Sequence, residues 1–593
     1  MKRSSVFLGL AVLLAAMHLL WLGQYVVIGY ASPDADGYFA QAGMMVRDGR
    51  TTFEPESPVQ YIGMHWIEKP DGSFISRYPA GFPALLAAAW GVLGRDAAFW
   101  VNPVLASLTV LAVFLLCRRW TGDGPALAAA AVQAASLIAN SHALNSDSHT
   151  STGFFLLAGI LALDQWLRDG RVWQAASAGF LLGMVPAIRY AEAVAGIGVA
   201  LFLWFAWKRP ERRTQIAWMA GAAALPLGWT LWRNQIHFGA FWRTAYSLTG
   251  ESSLSLRYFL ENWPSYVDGL LTSGAGLFVP LAFLGMASMM RREESRPLGA
   301  LLAATTVGVT LVYCCYYFNT GRPDRFLMPI VPLFFLPAIM FLRESAPGRA
   351  FSAALLVLAS LQGVRAASGT AERMGEQRAS AERSAIALAW LEDNVPEGSL
   401  IVGDRQLSEQ IHFAGKWKLA DASLLSASRG RRFAGPGGPG GPGGPGGRRG
   451  RRGGEDRPSP MQEGKAEALR ARYAGLSAPE RSGLAAEDVR AWADGAEIYW
   501  AGGERDAEAA SRALGMTAET GRIEMPGDAR EERSPFLAEP FGEGTAGGPG
   551  EAMTARAMGP RPGRGGPGGG MGGGLGPRFG LSAETLVVRR AER

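Results

Sequence analysis

Asp34 and Asp36 stand one residue apart, just after an uncharged apolar run that begins at Val6. Carboxylates beside a bilayer are costly unless solvated, paired or used. A pair at i and i+2 has three uses. One acid can cap the helix that follows, the two can share a divalent cation, or one can serve as a general base. A second acid, Asp147, lies between His142 and His149 in "NSHALNSDSHTST". Asp34, Asp36, Asp147 and His149 would make a metal set if the fold brought them together; helix capping or a solvated loop is the competing reading. Cations that could meet a phosphate are Arg322 and Arg325 in "GRPDRFLMPIVPLF", Arg189 in "PAIRYAEA", Arg233 beside Asn234, and Lys69 and Arg77 in the first loop. The guanidinium fork matches phosphate oxygens. Snorkelling at the interface is the alternative for Arg325, an ion pair with Glu192 for Arg189, and a solvated loop for Lys69 and Arg77.

The elements that must position these groups are membrane spans of about 20 apolar residues. Eleven are expected: Val6–Ile28, Ala98–Cys117, Ala126–Ser141, Ser151–Leu167, Val172–Ile188, Val194–Trp207, Ile216–Trp232, Leu270–Met290, Leu298–Tyr317, Phe326–Leu342 and Ala350–Gln362. "YPAGFPALLAAAWGVLG", with two early prolines, is expected to skim the membrane surface. Under this count one set of short ends and loops is uniformly basic. It holds Lys2 and Arg3, Arg118 and Arg119, Arg168 and Arg171, Lys208 to Arg213, Arg291 to Arg296, and Arg343 with Arg349. The positive-inside rule puts that set in the cytoplasm. The N-terminus is then cytoplasmic, and the chemistry-bearing loops and the C-terminal region lie outside. In the first outer loop, Tyr38, Gln41, Ala42 and Met45 share one helical face and Gly49 stops the helix.

The remaining composition narrows the classes. The 593 residues average a hydropathy of only +0.07 because an apolar half precedes a polar one rich in Gly, Pro, Arg and Glu. The net charge of +6 is spread among loops and a linker rather than one face, so no nucleic-acid partner is expected. The three cysteines lack ligand spacing for zinc. The membrane half carries no Rossmann glycine fingerprint or phosphate-binding loop, consistent with the expectation of no nucleotide cofactor. The expected division is a membrane domain over 1–366 and an extracytoplasmic α/β domain over 367–593. The second is built on "SLIVGD", "KWKLAD", "EIYWAG" and "ETLVVRR", with Gly/Pro-rich insertions at about 434–458 and 542–580.

"SPDADGYFAQAGMMVRDG" followed by "YPAGFPALLA" resembles the first outer loop of the GT-C superfamily of polytopic glycosyltransferases, in the style of its protein O-mannosyltransferase, lipid A aminoarabinose transferase and RgtA-like branches. "LNSDSHTSTGFFLLAGILAL", "GFLLGMVPAIRYAEAV", "WRNQIHFGAFWRTAY" and "GRPDRFLMPIVPLF" resemble that family's later segments, in the same order and on the same side. Ala35 stands where two of those branches carry a second acid, and Asp36 follows instead, so either aspartate remains open as the base.

The resemblance implies a multi-pass enzyme, in a bacterial inner membrane, that moves a sugar from a polyprenyl-phosphate donor to a lipid, glycan or protein acceptor on the outer face. It points to Asp34 as the base in the family's first acidic position, to Asp147 in the second acidic loop, and to Arg325 on the donor phosphate. A divalent metal is an open accompaniment. The alternative reading is a transporter or flippase of lipid-linked sugars. That reading expects polar residues deep in the spans and two repeated halves; the chain shows no internal repeat.

Overall fold

The computed structural model describes residues 2–30, 32, 34–248, 254–316, 323–346, 348–403, 405–425, 471–503, 512–516, 518–524 and 585–591. Both Gly/Pro-rich insertions, and Arg322, lie outside them. The chain begins with α1 (Lys2–Gly23) and enters the first loop through α2 (Asp34–Asp48). Asp34 and Asp36 occupy the first turn of α2, where backbone N–H groups and the helix dipole favour negative charge. Gly49, at φ +63°, ends it. The loop then forms a small antiparallel sheet of β1 (Thr52–Phe53), β2 (Trp66–Glu68) and β3 (Phe74–Ser76), in the order β1-β3-β2.

The membrane body follows: α3 (Gly81–Leu93), α4 (Val101–Thr121), α5 (Asp123–Ala134), α6 (Leu137–Leu144), α7 (His149–Asp169), α8 (Val172–Ile188), α9 (Ala195–Trp207) and α10 (Arg213–Phe238). After the single turn α11 (Ala245–Leu248) come α12 (Leu256–Thr272), α13 (Phe278–Arg291) and α14 (Arg296–Cys314). A 3-10 stretch, Pro323–Phe334, leads into α15 (Phe335–Ser345), and α16 (Arg349–Asn394) closes the body. Small residues let these helices approach closely. A Cβ at Gly179 on α8 would meet the Met219 carbonyl of α10 at 2.0 Å, and one at Gly285 on α13 would meet the Pro337 carbonyl of α15 at 1.9 Å.

This is a largely helical, integral multi-pass membrane protein with a C-terminal mixed sheet. Among the described residues six helices are long and apolar enough to cross a membrane, seven if a bent pair counts as one. Eleven full-length spans are therefore too many by length and composition. The expected span Ala126–Ser141 is α5 and α6, bent by 54°. α8 and α13 are apolar but short. The expected end near Gln362 is absent: α16 runs on for 46 residues, because the polar continuation is rich in strong helix formers.

The C-terminal sheet comprises β4 (Leu400–Gly403), β5 (Lys418–Asp421), β6 (Ile498–Gly503), β7 (Ala518–Glu524) and β8 (Thr585–Arg590), ordered β5-β4-β6-β8-β7. β4 runs parallel to β5 and β6, and β8 antiparallel to β6 and β7. Four of these strands match the four apolar runs expected; β7 lacks such a run. The β5 edge of this sheet is covered by the first loop. Tyr61 N–H donates to the Leu419 carbonyl at 2.7 Å, and Asp421 N–H donates to the Val59 carbonyl at 2.9 Å.

Candidate active site

Asp34 lies where the first loop meets the 3-10 stretch before α15. Its Oδ1 accepts a hydrogen bond from the Tyr78 hydroxyl at 3.0 Å and is 3.6 Å from His65 Nε2. Its Oδ2 is 3.8 Å from Arg325. The carboxylate side chain remains 26 % exposed, so a ligand can reach it. Burial pushes its pKa up, but Arg325, His65, Arg77 and the Tyr78 hydrogen bond together bring it below the ordinary carboxylate value. Asp34 is therefore ionised at neutral pH.

Asp36 is placed differently. It is fully buried, and its Oδ1 is 2.9 Å from His412 Nδ1, a residue of the C-terminal region. Its Oδ2 has no hydrogen-bond partner and lies so close to Gly63 that a Cβ there would come within 2.2 Å. The two aspartates thus have separate environments: one opens toward a guanidinium, the other ties the loop to the C-terminal region. Asp147 is also buried. Its Oδ2 is 2.7 Å from His142 Nδ1, and its Oδ1 accepts the His149 backbone N–H at 3.1 Å.

The metal set expected from sequence does not assemble. Asp36 is turned to His412 and Asp147 to His142, and among the described residues no three His, Cys, Asp or Glu side chains form a ligand group. These residues do not fit a resident cation held by Asp34, Asp36, Asp147 and His149.

Arg189 closes α8 and is enclosed. It donates to Glu192 at 2.8 Å, to the Tyr313 hydroxyl at 2.7 Å and to Ser148 Oγ at 3.3 Å. Tyr313 stacks on Phe326 with centroids 4.9 Å apart, and the Arg325 guanidinium sits 5.0 Å over that same Phe326 ring. On the other side, Ser148 is 3.0 Å from the Tyr38 hydroxyl, and Tyr38 stacks on Tyr78 at 4.2 Å. The contacts close a ring through Asp34, Tyr78, Tyr38, Ser148, Arg189, Tyr313, Phe326 and Arg325. Arg189 anchors the aromatic wall, and Arg325 faces the carboxylate. Lys69 lies elsewhere, on the turn between β2 and β3, paired with Asp71 at 2.7 Å.

The order of these elements decides the likeness. Residues covering 86 % of the chain superpose on 95 % of the crystal structure of apo ArnT from Cupriavidus metallidurans, with a TM-score of 0.52 and 13 % identity.

The fold is similar to that of ArnT.

ArnT from the same organism, bound to undecaprenyl phosphate, matches 86 % of this chain over 96 % of its own, with a TM-score of 0.52 and 14 % identity. An oligosaccharyltransferase of Archaeoglobus fulgidus, in complex with zinc and sulfate, matches more loosely: TM-score 0.45 and 11 % identity over 84 % of this chain and 68 % of that one. No protein-family model and no curated protein sequence matches. At such identity the likeness to ArnT concerns the fold alone. Sequence reasoning missed His65 and His412. Neither sits in a motif, and His412 is 376 residues from its partner.

Proposed function

We propose that this chain is a transferase that takes a sugar from a polyprenyl-phosphate donor and attaches it to a hydroxyl-bearing lipid, glycan or protein on the extracytoplasmic face of a bacterial inner membrane. The observation that carries the reading is Asp34: an ionised, partly open carboxylate facing Arg325 across 3.8 Å. At that separation the two form a loose ion pair, which parts when substrates enter so that the groups act on opposite ends of one displacement. Asp34 accepts the proton of the acceptor hydroxyl. The acceptor oxygen forms the new bond to the anomeric carbon as the bond to the donor phosphate oxygen breaks, its electron pair leaving with the phosphate. Arg325 stabilises that phosphate.

The two roles are coupled. Arg325 is the largest of the influences lowering the Asp34 pKa. When a donor phosphate draws its charge, Asp34 becomes a stronger base at the moment it is needed. In this reading Tyr78 and His65 orient the carboxylate, while Asp36 with His412, and Asp147 with His142, hold the surrounding loops. No step is routed through a metal.

The ArnT-like fold supports the donor class, as does the binding of undecaprenyl phosphate by ArnT. We assign eleven crossings, four of them by short or less apolar helices, with the N-terminus in the cytoplasm and residues 367–593 outside. The test is to incubate the detergent-purified protein with polyprenyl-phosphate sugars and lipid acceptors and follow release of polyprenyl phosphate. Release that requires the protein is expected. No release with any donor and acceptor pair refutes the reading.

A further inference from the structure

Gln133, near the end of α5, is 3 % exposed, and Thr150, in the first turn of α7, is 1 % exposed. Among the described residues neither Gln133 Oε1 nor the Thr150 hydroxyl has a hydrogen-bond partner. Both residues line one cavity of about 10 Å³, measured as space open to the centre of a water-sized sphere. On that measure it has room for about one water and for nothing larger. His18 and Thr109 complete its polar lining, and each is already engaged. The His18 ring lies 2.8 Å from Asn140 Oδ1 and 3.0 Å from Ser107 Oγ. The Thr109 hydroxyl donates to the Leu105 carbonyl at 2.8 Å, which leaves its oxygen able to accept.

The chemistry of the pair selects the occupant. Thr150 offers a hydroxyl donor and Gln133 a carbonyl acceptor. In direct contact they would satisfy each other, so they are completed by a molecule that accepts from one and donates to the other. A water does both, and cavities lined by polar atoms hold water where apolar ones stay dry. No carboxylate stands among the lining residues, so nothing there offsets the charge of a cation. The position also calls for such a molecule. Gln133 lies just before the bend between α5 and α6, where the Asn140 amide donates to the Ala134 carbonyl at 2.9 Å. Backbone groups freed at a break inside a bilayer are satisfied internally, by side chains or ordered water. Across the cavity stand Met328 and Pro332, from the 3-10 stretch that carries Arg325. Pro332 has no N–H to give the Pro329 carbonyl. That oxygen lies against α7: a Cβ on Gly153, another lining residue, would be 3.5 Å from it.

We propose that this cavity is a water site within the membrane body: one buried water accepts from the Thr150 hydroxyl and donates to Gln133 Oε1, joining α7 to the bent α5–α6 segment directly behind the stretch that carries Arg325. Its second hydrogen has the Thr109 oxygen and the Pro329 carbonyl as acceptors. The site stands independently of the transferase reading.

The test uses the full chain in dodecyl maltoside and reads two quantities. Hydroxyl radicals made by a millisecond X-ray pulse attack side chains beside bound water. Met328, 5 % exposed, is the reporter on this wall, and Met219, 4 % exposed and outside the cavity, is the control. Met328 is expected to form sulfoxide about tenfold faster than Met219, and to fall to the Met219 rate when Gln133→Leu and Thr150→Val are combined. The second quantity is the unfolding temperature. With a bridging water, Thr150→Val and Gln133→Leu each lower it, and the double variant lowers it by less than the sum, because both act through one molecule. Were the two oxygens simply unsatisfied, each apolar replacement would raise it instead. Four results overturn the water site: Met328 oxidising no faster than Met219, fast oxidation that persists in the double variant, a raised unfolding temperature in either single variant, or additivity of the two. The wild-type comparison of Met328 with Met219 needs no variant, so it decides the matter even where a substitution fails to fold.

Discussion

Removing the imidazole with His412→Ala isolates the junction between the C-terminal region and the acidic loop. Asp36 is wholly buried, and its Oδ1 meets this histidine at 2.9 Å. Breaking a buried pair by deleting one partner generally costs about 3–5 kcal/mol. His412 is itself 19 % exposed, so water can partly replace it and the lower end, about 3 kcal/mol, is expected. The loss falls on a local unit, since Tyr61, Val59 and Asp421 join the loop to the β5 edge nearby. Amide hydrogen exchange over residues 57–63 and 418–421 is therefore the assay. A loss of about 3 kcal/mol predicts exchange about a hundredfold faster there, with α7 and α8 unaffected. In Asp36→Asn, which removes the buried charge, the same His412→Ala change should cost at least about 1 kcal/mol less. Additivity of the two substitutions within about 0.5 kcal/mol, or unchanged exchange in His412→Ala, would refute the reasoning.

Other consequences follow from the same geometry. Because the folded-state pKa of Asp34 is lowered, the stability it contributes is present above its unfolded value of about 3.9 and is lost as pH falls through the folded value. Arg325→Met removes the largest opposing influence and leaves burial ahead, so the acid limb of kcat/KM moves to higher pH; a limb that stays in place would contradict the pairing. Tyr78→Phe is expected to shift that limb upward by less, since it removes one hydrogen bond rather than a charge. Gly63→Ala drives a Cβ to 2.2 Å from Asp36 Oδ2 and 2.9 Å from Trp66, and overpacking of this kind costs about 1–3 kcal/mol, read as a lower unfolding temperature.

How much of this was legible in the chain differs by element. α2 was, because its apolar spacing and Gly49 are local signals, and so were β4, β5, β6 and β8, each an apolar run. The facing of Asp34 and Arg325 was reachable only through the sidedness of loops, which ordered charges make visible. The first-loop sheet was not: strands of two or three residues carry no periodicity. The bend between α5 and α6 has neither Pro nor Gly at Ala135 and Ser136 to announce it. The enclosed state of Arg189 and the link from Asp36 to His412 depend on tertiary contacts between segments far apart in sequence. A D-x-D pattern reads as one site, whereas the structure gives its two carboxylates to different neighbours.

That separation is also the central claim, and one comparison tests it directly. Single-turnover sugar transfer from a polyprenyl-phosphate donor should fall about 10²- to 10⁴-fold in Asp34→Asn, while donor binding is retained and Asp36→Asn keeps measurable transfer in whatever fraction folds. Full transfer by Asp34→Asn, with loss confined to Asp36→Asn in a folded protein, would contradict the account.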